Sequence, residues 1–214
     1  MALHLKWFTF NPFSENTYVL YSDNKECIIF DPGCSNADEE STIITFLNEK
    51  NLVPQRLLLT HAHIDHVMGV RFISRKFGLK PELHILDLPI YETAGSIAKM
   101  YGLPFQQGPA PDYFLEESNT IDIDGQQLSI LFTPGHSPGS ICYYSASNNF
   151  IISGDVLFNG SIGRTDLPGG DFNTLSNSIK SKLYVLPENT RVFAGHGEST
   201  TIGNEKLNNP FVRA

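Results

Sequence analysis

The segment His61-Ala62-His63-Ile64-Asp65-His66 constrains the fold of this chain more than any other feature of its sequence. It places three imidazoles and one carboxylate within six positions, directly after the apolar run Leu57–Leu59. Buried polar groups need hydrogen-bond or metal partners. A fold that accommodates this segment must therefore bring further polar side chains to the end of the strand that precedes it.

The spacing within the segment is that of metal ligands. Residues two apart in an extended chain point to the same side, so His61 and His63 can hold one ion, while Asp65 and His66, at the turn into a helix, can face a second. Imidazole and carboxylate ligands suit zinc, iron or manganese rather than calcium. Two alternatives need no metal: Asp65 could only cap the following helix, and the histidines could be buried polar residues with ordinary partners.

Three further positions complete a constellation of residue types that ligate metals. His136 lies in the turn Thr133–Gly139, Asp155 follows Ser153-Gly154, and His196 lies between two glycines. Each follows a predicted strand, and the small residues beside it allow the backbone to approach an ion closely. Each one alone could also be an ordinary turn histidine or strand-ending aspartate.

Composition limits the classes of function. A chain of 214 residues is long enough for one domain, residues 1–214, with a core that needs neither disulfides nor a structural metal. Its net charge of −8 argues against a nucleic-acid or membrane partner, and a small-molecule substrate is expected. Three cysteines without a CxxC pair, no signal sequence and no long apolar run predict a cytoplasmic protein. The sequence leaves the oligomeric state open.

Hydrophobic periodicity and turn residues predict strands, then helices, then strands, then helices. This order favours a layered α/β arrangement with helices outside two sheets. A helix capped by Ser35 and Asp38 is expected to end near Asn51, and a short helix is expected before Asn209. The predicted strands are Leu5–Phe10, Thr17–Tyr21, Cys27–Phe30, Arg56–Thr60, Leu83–Leu86, Thr120–Ile123, Gln127–Phe132, Ser140–Ser145, Asn149–Ser153 and Arg191–Ala194, and the other predicted helices are Val67–Phe77, Pro89–Tyr101 and Phe172–Leu186.

The order of these residues resembles that of the metallo-β-lactamase superfamily. Three shorter stretches, Asp31-Pro32-Gly33, 133–140 and Gly163-Arg164-Thr165-Asp166, are similar to the hydroxyacylglutathione hydrolase (glyoxalase II)-like branch. The resemblance implies a four-layer αββα sandwich with two divalent metal ions, zinc or alternatively iron or manganese, at one edge of the paired sheets. It also implies the ligands: His61, His63 and His136 for the first ion, Asp65, His66 and His196 for the second, and Asp155 as the bridge.

The expected nucleophile is a metal-bound hydroxide rather than a side chain. Asp155, which would orient it, and Asp65 are the candidate catalytic residues. Asp31 is expected to support the ligands by hydrogen bonding, with a simple Asp-Pro-Gly turn as the alternative. Arg164, in a loop without other basic residues, is the candidate for binding a substrate carboxylate, with a surface ion pair to Asp166 or Asp171 as the alternative.

These observations predict a binuclear metal-dependent hydrolase that acts on a small-molecule thioester or ester. Typical glyoxalase II enzymes add a C-terminal helical region that binds glutathione, and only residues 198–214 follow the segment Gly195-His196-Gly197, so weak glutathione binding is expected. One alternative is a mononuclear iron persulfide dioxygenase that uses His61, His136 and Asp155. A catalytically silent binding module is a third, and it is disfavoured because no ligand is missing.

Overall fold

Two β-sheets carry the fold in the computed structural model, which describes residues 2–213. The first sheet has the spatial order β1-β2-β3-β4-β5. Its first three strands are antiparallel neighbours, whereas β3, β4 and β5 run parallel to one another. The strands are β1 (Leu3–Phe10), β2 (Glu15–Ser22), β3 (Glu26–Phe30), β4 (Val53–Leu58) and β5 (Pro81–Glu82).

The second sheet has the spatial order β13-β12-β9-β8-β7-β6. Only β9 and β12 pair in parallel, and the other neighbours are antiparallel. Between β9 and β12 in the chain, β10 and β11 form a small separate hairpin. The strands are β6 (Thr120–Ile123), β7 (Gln126–Phe132), β8 (Ile141–Ser145), β9 (Phe150–Gly154), β10 (Leu157–Phe158), β11 (Ser161–Ile162), β12 (Arg191–Ala194) and β13 (Thr200–Thr201).

The helices divide between the outer faces of the two sheets. A 3₁₀ turn at Ile85–Asp87 leads into the fourth helix, and a π-helical segment at Ile179–Leu183 continues the fifth. The α-helices are α1 (Ala37–Lys50), α2 (Ile64–Val67), α3 (Val70–Phe77), α4 (Leu88–Tyr101), α5 (Phe172–Ser178) and α6 (Ile202–Asn208).

Three apolar layers separate these four levels of structure. Successive residues of a strand point to opposite faces. Ile28 of β3 therefore packs between the two sheets, while its neighbour Ile29 packs against α1, α3 and α4. In β8, Tyr143 faces the inter-sheet layer and Cys142 faces α5 and α6. The predicted four-layer αββα sandwich is confirmed.

Most predicted elements are present, but the strand predicted at Leu83–Leu86 is wrong. The strand β5 lies two residues earlier, and residues 85–87 form the 3₁₀ turn. Ile85 and Leu86 are 42% and 51% exposed, so this apolar run does not belong to a buried strand. Apolar periodicity over four residues cannot distinguish a strand from a turn whose side chains reach solvent.

Two helix starts also differ from the prediction. The helix predicted at Val67–Phe77 begins at Ile64 and breaks at Gly69, where a Cβ atom would overlap the Cys34 Sγ. The cap of α1 is Asn36 rather than Ser35, because the Asn36 side chain accepts hydrogen bonds from the Asp38 and Glu39 amides. All three cysteines are free and buried.

Candidate metal centre

All the predicted ligands follow strands that end at one edge of the sandwich. The strand β4 precedes His61, β7 precedes His136, β9 precedes Asp155 and β12 precedes His196. In the second sheet β7 and β9 both run antiparallel to β8, and β12 runs parallel to β9. Their carboxyl ends therefore point the same way. This topology brings together residues separated by more than one hundred positions in the chain.

The first group consists of His61, His63 and His136. The His136 Nε2 atom lies 3.2 Å from the Nε2 of His61 and 2.8 Å from the Nδ1 of His63. Three imidazole nitrogens, one from each residue, lie within 4.8 Å of one another. Nitrogen ligands that bind one tetrahedral ion at about 2.0–2.1 Å are themselves about 3.3 Å apart, so the spacing of this group suits a single ion.

The second group consists of Asp65, His66 and His196. The Asp65 Oδ2 atom lies 3.1 Å from the His196 Nε2 and 3.6 Å from the His66 Nε2. Asp65 makes no cap to α2, whose N-cap position is His63, so the helix-cap alternative for Asp65 is wrong. Its carboxylate is turned towards the two imidazoles instead.

Asp155 lies between the two groups. Its Oδ2 atom is 3.6 Å from the His136 Nε2 of the first group and 3.5 Å from the His196 Nε2 of the second. Its Oδ1 atom is 3.3 Å from the His66 Nε2. A carboxylate in this position can contact ions held by either group.

Hydrogen-bond partners set the orientation of several imidazoles. The His136 Nδ1 faces the Arg164 carbonyl oxygen at 2.8 Å, and the His196 Nδ1 faces the Phe13 carbonyl oxygen at 3.1 Å. A carbonyl oxygen only accepts, so each Nδ1 carries a proton, and in the neutral imidazole the Nε2 then has a lone pair for the cluster. This tautomer is the one that a metal-ligating histidine needs.

The Thr60 hydroxyl fixes the orientation of the His61 imidazole in the same way. It donates to the Asp31 Oδ2 at 2.6 Å and therefore accepts from the His61 Nδ1 at 3.1 Å. Asp31 also accepts from the Thr60 amide at 2.7 Å, and its Oδ2 lies 3.1 Å from the His66 Nδ1. Asp31 thus lies behind the ligand candidates and contacts one of them directly.

The electrostatics of the cluster favour neutral imidazoles in the first group. Burial, together with the charge of nearby histidines, lowers the pKa of His61, and it lowers the pKa of His63 to about 3. In the second group burial opposes protonation of His66, but the charges of Asp65 and Asp155 outweigh it and raise its pKa. Despite its burial, the positive charge of His66 holds the pKa of Asp155 well below its usual range.

Atoms without hydrogen bonds show that the donor set suits metal ions. Among residues 2–213, the His66 Nε2 and the Asp155 Oδ1 are buried and make no hydrogen bond. Orphaned buried polar atoms are costly unless an ion or water satisfies them. Five imidazoles and two carboxylates, in two groups of three residues with Asp155 between them, match the ligand preferences of zinc, iron or manganese, so a dinuclear metal site fits these residues.

Arg164 lies at the rim of this cluster with its side chain in solvent. The side chain is 59% exposed and forks Asp166, with both nitrogen–oxygen distances at 2.7 Å. This ion pair holds the pKa of Asp166 at about 2. The main chain of Arg164, through its carbonyl oxygen, contacts His136 of the first group. Asp171, the other predicted partner, caps α5 instead.

Two aromatic residues, Phe13 and Phe158, lie beside His196. Phe13, whose carbonyl oxygen faces His196, is 39% exposed, and its ring meets the ring of Tyr101 edge to face with centroids 6.2 Å apart. On another side of His196, the ring of Phe158 lies 6.2 Å away. The second group therefore has aromatic neighbours as well as charged ones.

Sequence reasoning missed two buried carboxylates near the cluster. Glu15 is fully buried beside His66, and burial raises its pKa well above the usual value. Asp87 is also fully buried and receives three hydrogen bonds from the loops that carry ligands. Asp87 stands next to Leu88-Pro89, where an aspartate suggests a helix cap, and Glu15 is the first residue of β2, directly after a turn. Neither position carries a signal of its own.

Comparison with known proteins assigns the family. The sequence model of the metallo-beta-lactamase superfamily matches residues 10–196. The chain is 41% identical to the probable metallo-hydrolase YqgX of Bacillus subtilis, over 97% of this chain and 98% of that protein. It is 38% identical to the hydroxyacylglutathione hydrolase GloC of Haemophilus influenzae, over 94% of each. The chain belongs to the metallo-beta-lactamase superfamily.

Solved structures agree with this assignment. The BLEG-1 B3 metallo-beta-lactamase superimposes with a TM-score of 0.89 at 40% identity. The alignment covers 99% of this chain and 100% of the BLEG-1 chain. TTHA1623 in a di-iron-bound form superimposes with a TM-score of 0.86 at 39% identity, over 97% of this chain and 100% of that chain. In the part of the chain that the structure describes, no helix has the length and apolar character needed to cross a membrane.

Proposed function

We propose that this protein is a binuclear metal-dependent hydrolase that cleaves a thioester or ester of a small molecule. The observation that carries the proposal is the pair of three-residue ligand groups with the Asp155 carboxylate between them. Zinc is the first candidate for the two ions. A net charge of −8 argues against nucleic acid or an anionic membrane as the partner.

Two divalent ions held here would supply Lewis acidity for a substrate carbonyl and a water of lowered pKa for its hydrolysis. The first ion would be held by His61, His63 and His136. The second ion would be held by Asp65, His66 and His196, and Asp155 would bind both ions. Asp31 and the carbonyl oxygens of Phe13 and Arg164 keep the ligand imidazoles oriented.

The chain's own acidic groups have roles in handling the proton and the substrate. Asp155 stays an anion because its pKa is lowered, so it can accept a hydrogen bond from the attacking water and fix its orientation. Asp65, whose pKa is also lowered despite burial, can do the same from the second group. Arg164 can bind a substrate carboxylate bidentately once it releases Asp166.

Relatives support the substrate class without defining it. The 38% identical Haemophilus protein is named a hydroxyacylglutathione hydrolase, and such an enzyme cleaves a thioester. The 39% identical TTHA1623 was solved in a di-iron-bound form, which supports two ions and keeps iron as an alternative to zinc. The 40% identical BLEG-1 is named a B3 metallo-beta-lactamase, so β-lactam hydrolysis is the second candidate function.

The test is a metal analysis combined with a substrate panel. The purified protein is loaded with zinc, iron or manganese, its metal content is measured, and it is assayed with acyl-glutathione thioesters, neutral thioesters, simple esters, a chromogenic β-lactam and glutathione persulfide. Two ions per chain with thioester or ester turnover are expected. One iron with oxygen uptake on the persulfide would identify a dioxygenase, preferential β-lactam turnover would identify a lactamase, and no bound metal would overturn both hydrolase proposals.

A further inference from the structure

Asp87 is an unusual aspartate because its side chain does not cap the helix that it precedes. It occupies the N-cap position of α4, where an aspartate ordinarily accepts a hydrogen bond from the first-turn amides, yet no such bond forms. The residue is fully buried, which is rare for a carboxylate without a cationic partner. Its carboxylate oxygens accept hydrogen bonds from two other loops instead.

The carboxylate joins the two loops that carry the first group of ligands. The Asp87 Oδ2 accepts from the Ala62 amide at 2.7 Å and from the Ser137 hydroxyl at 2.9 Å, and its Oδ1 accepts from the Gly139 amide at 2.6 Å. Ala62 lies between His61 and His63. Ser137 is the residue after His136, and Gly139 lies three residues after it.

The close approach of these elements depends on small residues. A Cβ atom on Gly139 would lie 2.6 Å from the Asp87 backbone nitrogen and 2.8 Å from its Oδ1. The Ser137 and Ser140 hydroxyls are 2.8 Å apart, which fixes the second loop on the same carboxylate. The arrangement is therefore built around Asp87 rather than formed by chance surface contact.

We propose that Asp87 is a positioning residue for the first ion, because it sets the separation between the His61–His63 segment and His136. Asp31 lies behind both groups, because it accepts from the Thr60 hydroxyl that orients His61 and also contacts His66. The three hydrogen bonds of Asp87, in contrast, go to the loops that carry the first group. The inference rests on the proposed metal site and is independent of which substrate is cleaved.

The substitution Asp87→Asn preserves volume but places an amide NH₂ opposite N–H or O–H donors that need an acceptor. At least one of the three hydrogen bonds is then lost and a donor is left unsatisfied in the interior. Ser137→Ala is the milder companion, because it removes one donor to Asp87 and leaves the two backbone bonds. Asp112→Asn is the matched control, since Asp112 is exposed and pairs only with Lys80 on the surface.

The experiment separates the two groups by deleting one ligand at a time. His196→Ala leaves the first group complete, and His63→Ala leaves the second. In each background the affinity for Zn²⁺ is measured against a chromophoric chelator, and the visible spectrum of the Co²⁺-loaded protein reports ligand geometry. The unfolding temperature of each metal-free variant is recorded as a measure of folding alone.

In the His196→Ala background we expect Asp87→Asn to weaken Zn²⁺ binding by about 10- to 100-fold and to alter the Co²⁺ spectrum, with a smaller loss for Ser137→Ala. In the His63→Ala background neither variant should change the Zn²⁺ affinity by more than about twofold. The control Asp112→Asn should leave the Zn²⁺ affinity unchanged in both backgrounds. Equal losses in the two backgrounds, or no loss in the first, would overturn the proposal. If Asp87→Asn does not fold, the same contrast with Ser137→Ala decides it. A wild-type chain that binds no Zn²⁺, Fe²⁺ or Mn²⁺ would instead overturn the proposed function.

Discussion

Asp155 is the side chain that lies between the two ligand groups. Its two oxygens face His66 on one side and His136 and His196 on the other. We expect Asp155→Ala to reduce thioester or ester hydrolysis by at least about 100-fold and to reduce the metal content, because the shared ligand is lost. Metal analysis and steady-state kinetics check this, with the surface variant Asp122→Ala as control. An Asp155→Ala protein that keeps two ions and full activity would contradict the bridging role.

Arg164 and Asp166 make a pair of substitutions with opposite expected effects. If Arg164 binds a substrate carboxylate, Arg164→Ala should lower kcat/KM for carboxylate-bearing thioesters by about 10- to 100-fold and barely affect neutral ones. Asp166→Ala should instead lower KM for the charged substrates, because the arginine no longer has to leave an ion pair. Both variants should retain their metal.

The charged and neutral thioesters are titrated in parallel on the wild type and on both variants. Equal losses on the two substrates in Arg164→Ala would assign the arginine a structural role, as the exposed Arg164–Asp166 pair alone would suggest.

At the scale of elements, the turn between β7 and β8 is held against α5. The Gly135 carbonyl oxygen accepts from the Asp171 amide at 2.8 Å, and the Ser178 hydroxyl donates to the Pro134 carbonyl oxygen at 2.8 Å. Gly135 has a φ of 129°, and a Cβ atom there would overlap the backbone of Leu175. The orientation of His136, its neighbour, therefore depends on how this turn packs on the helix.

Gly135→Ala is expected to destabilise the metal-free protein by about 2–4 kcal/mol, since it combines backbone strain with a steric clash. The control is Gly125→Ala, in a turn with a φ of 75° and no atom within 4 Å of the place that a Cβ would take, where strain alone should cost about 1 kcal/mol. Urea unfolding of the two variants measures the difference. Equal losses of unfolding free energy would show that the contact with α5 is unimportant.

At the scale of the whole molecule, we expect the core to be stable without metal. Three apolar layers hold the two sheets and the helices together, and the ligand cluster lies at one edge of them. Removal of metal with a chelator should therefore leave the far-ultraviolet circular dichroism unchanged. The unfolding temperature should fall, because a ligand present at 100 times its Kd stabilises the folded state by about 2.7 kcal/mol.

Thermal unfolding with and without chelator checks this prediction, and addition of zinc to the stripped protein is the control for reversibility. A cooperative loss of circular dichroism on chelation would mean that the metal is structural. The sequence-based expectation of a core that needs no structural metal would then be wrong.

The sequence by itself identified the histidines and aspartates that meet at the edge of the sandwich, and it predicted the layered architecture. Local sequence patterns indicate both features: three histidines and an aspartate lie within six positions, and short apolar runs end at turn residues. The identity of the superfamily followed from the order of these residues. The element boundaries were harder to predict, as the two-residue β5 and the helix break at Gly69 show, because contacts with distant segments set them.

Only the tertiary structure decided which carboxylates lie behind the ligands. Asp87 stands more than twenty positions from Ala62 and about fifty from Gly139 in the chain, and nothing near it in the sequence indicates that it meets them. Asp65 likewise has the local pattern of a helix cap, yet its carboxylate faces His196. Asp87 accepts hydrogen bonds from distant donors instead of capping its own helix, and those bonds form only because β4, β7 and α4 pack together. A local sequence pattern does not predict that packing.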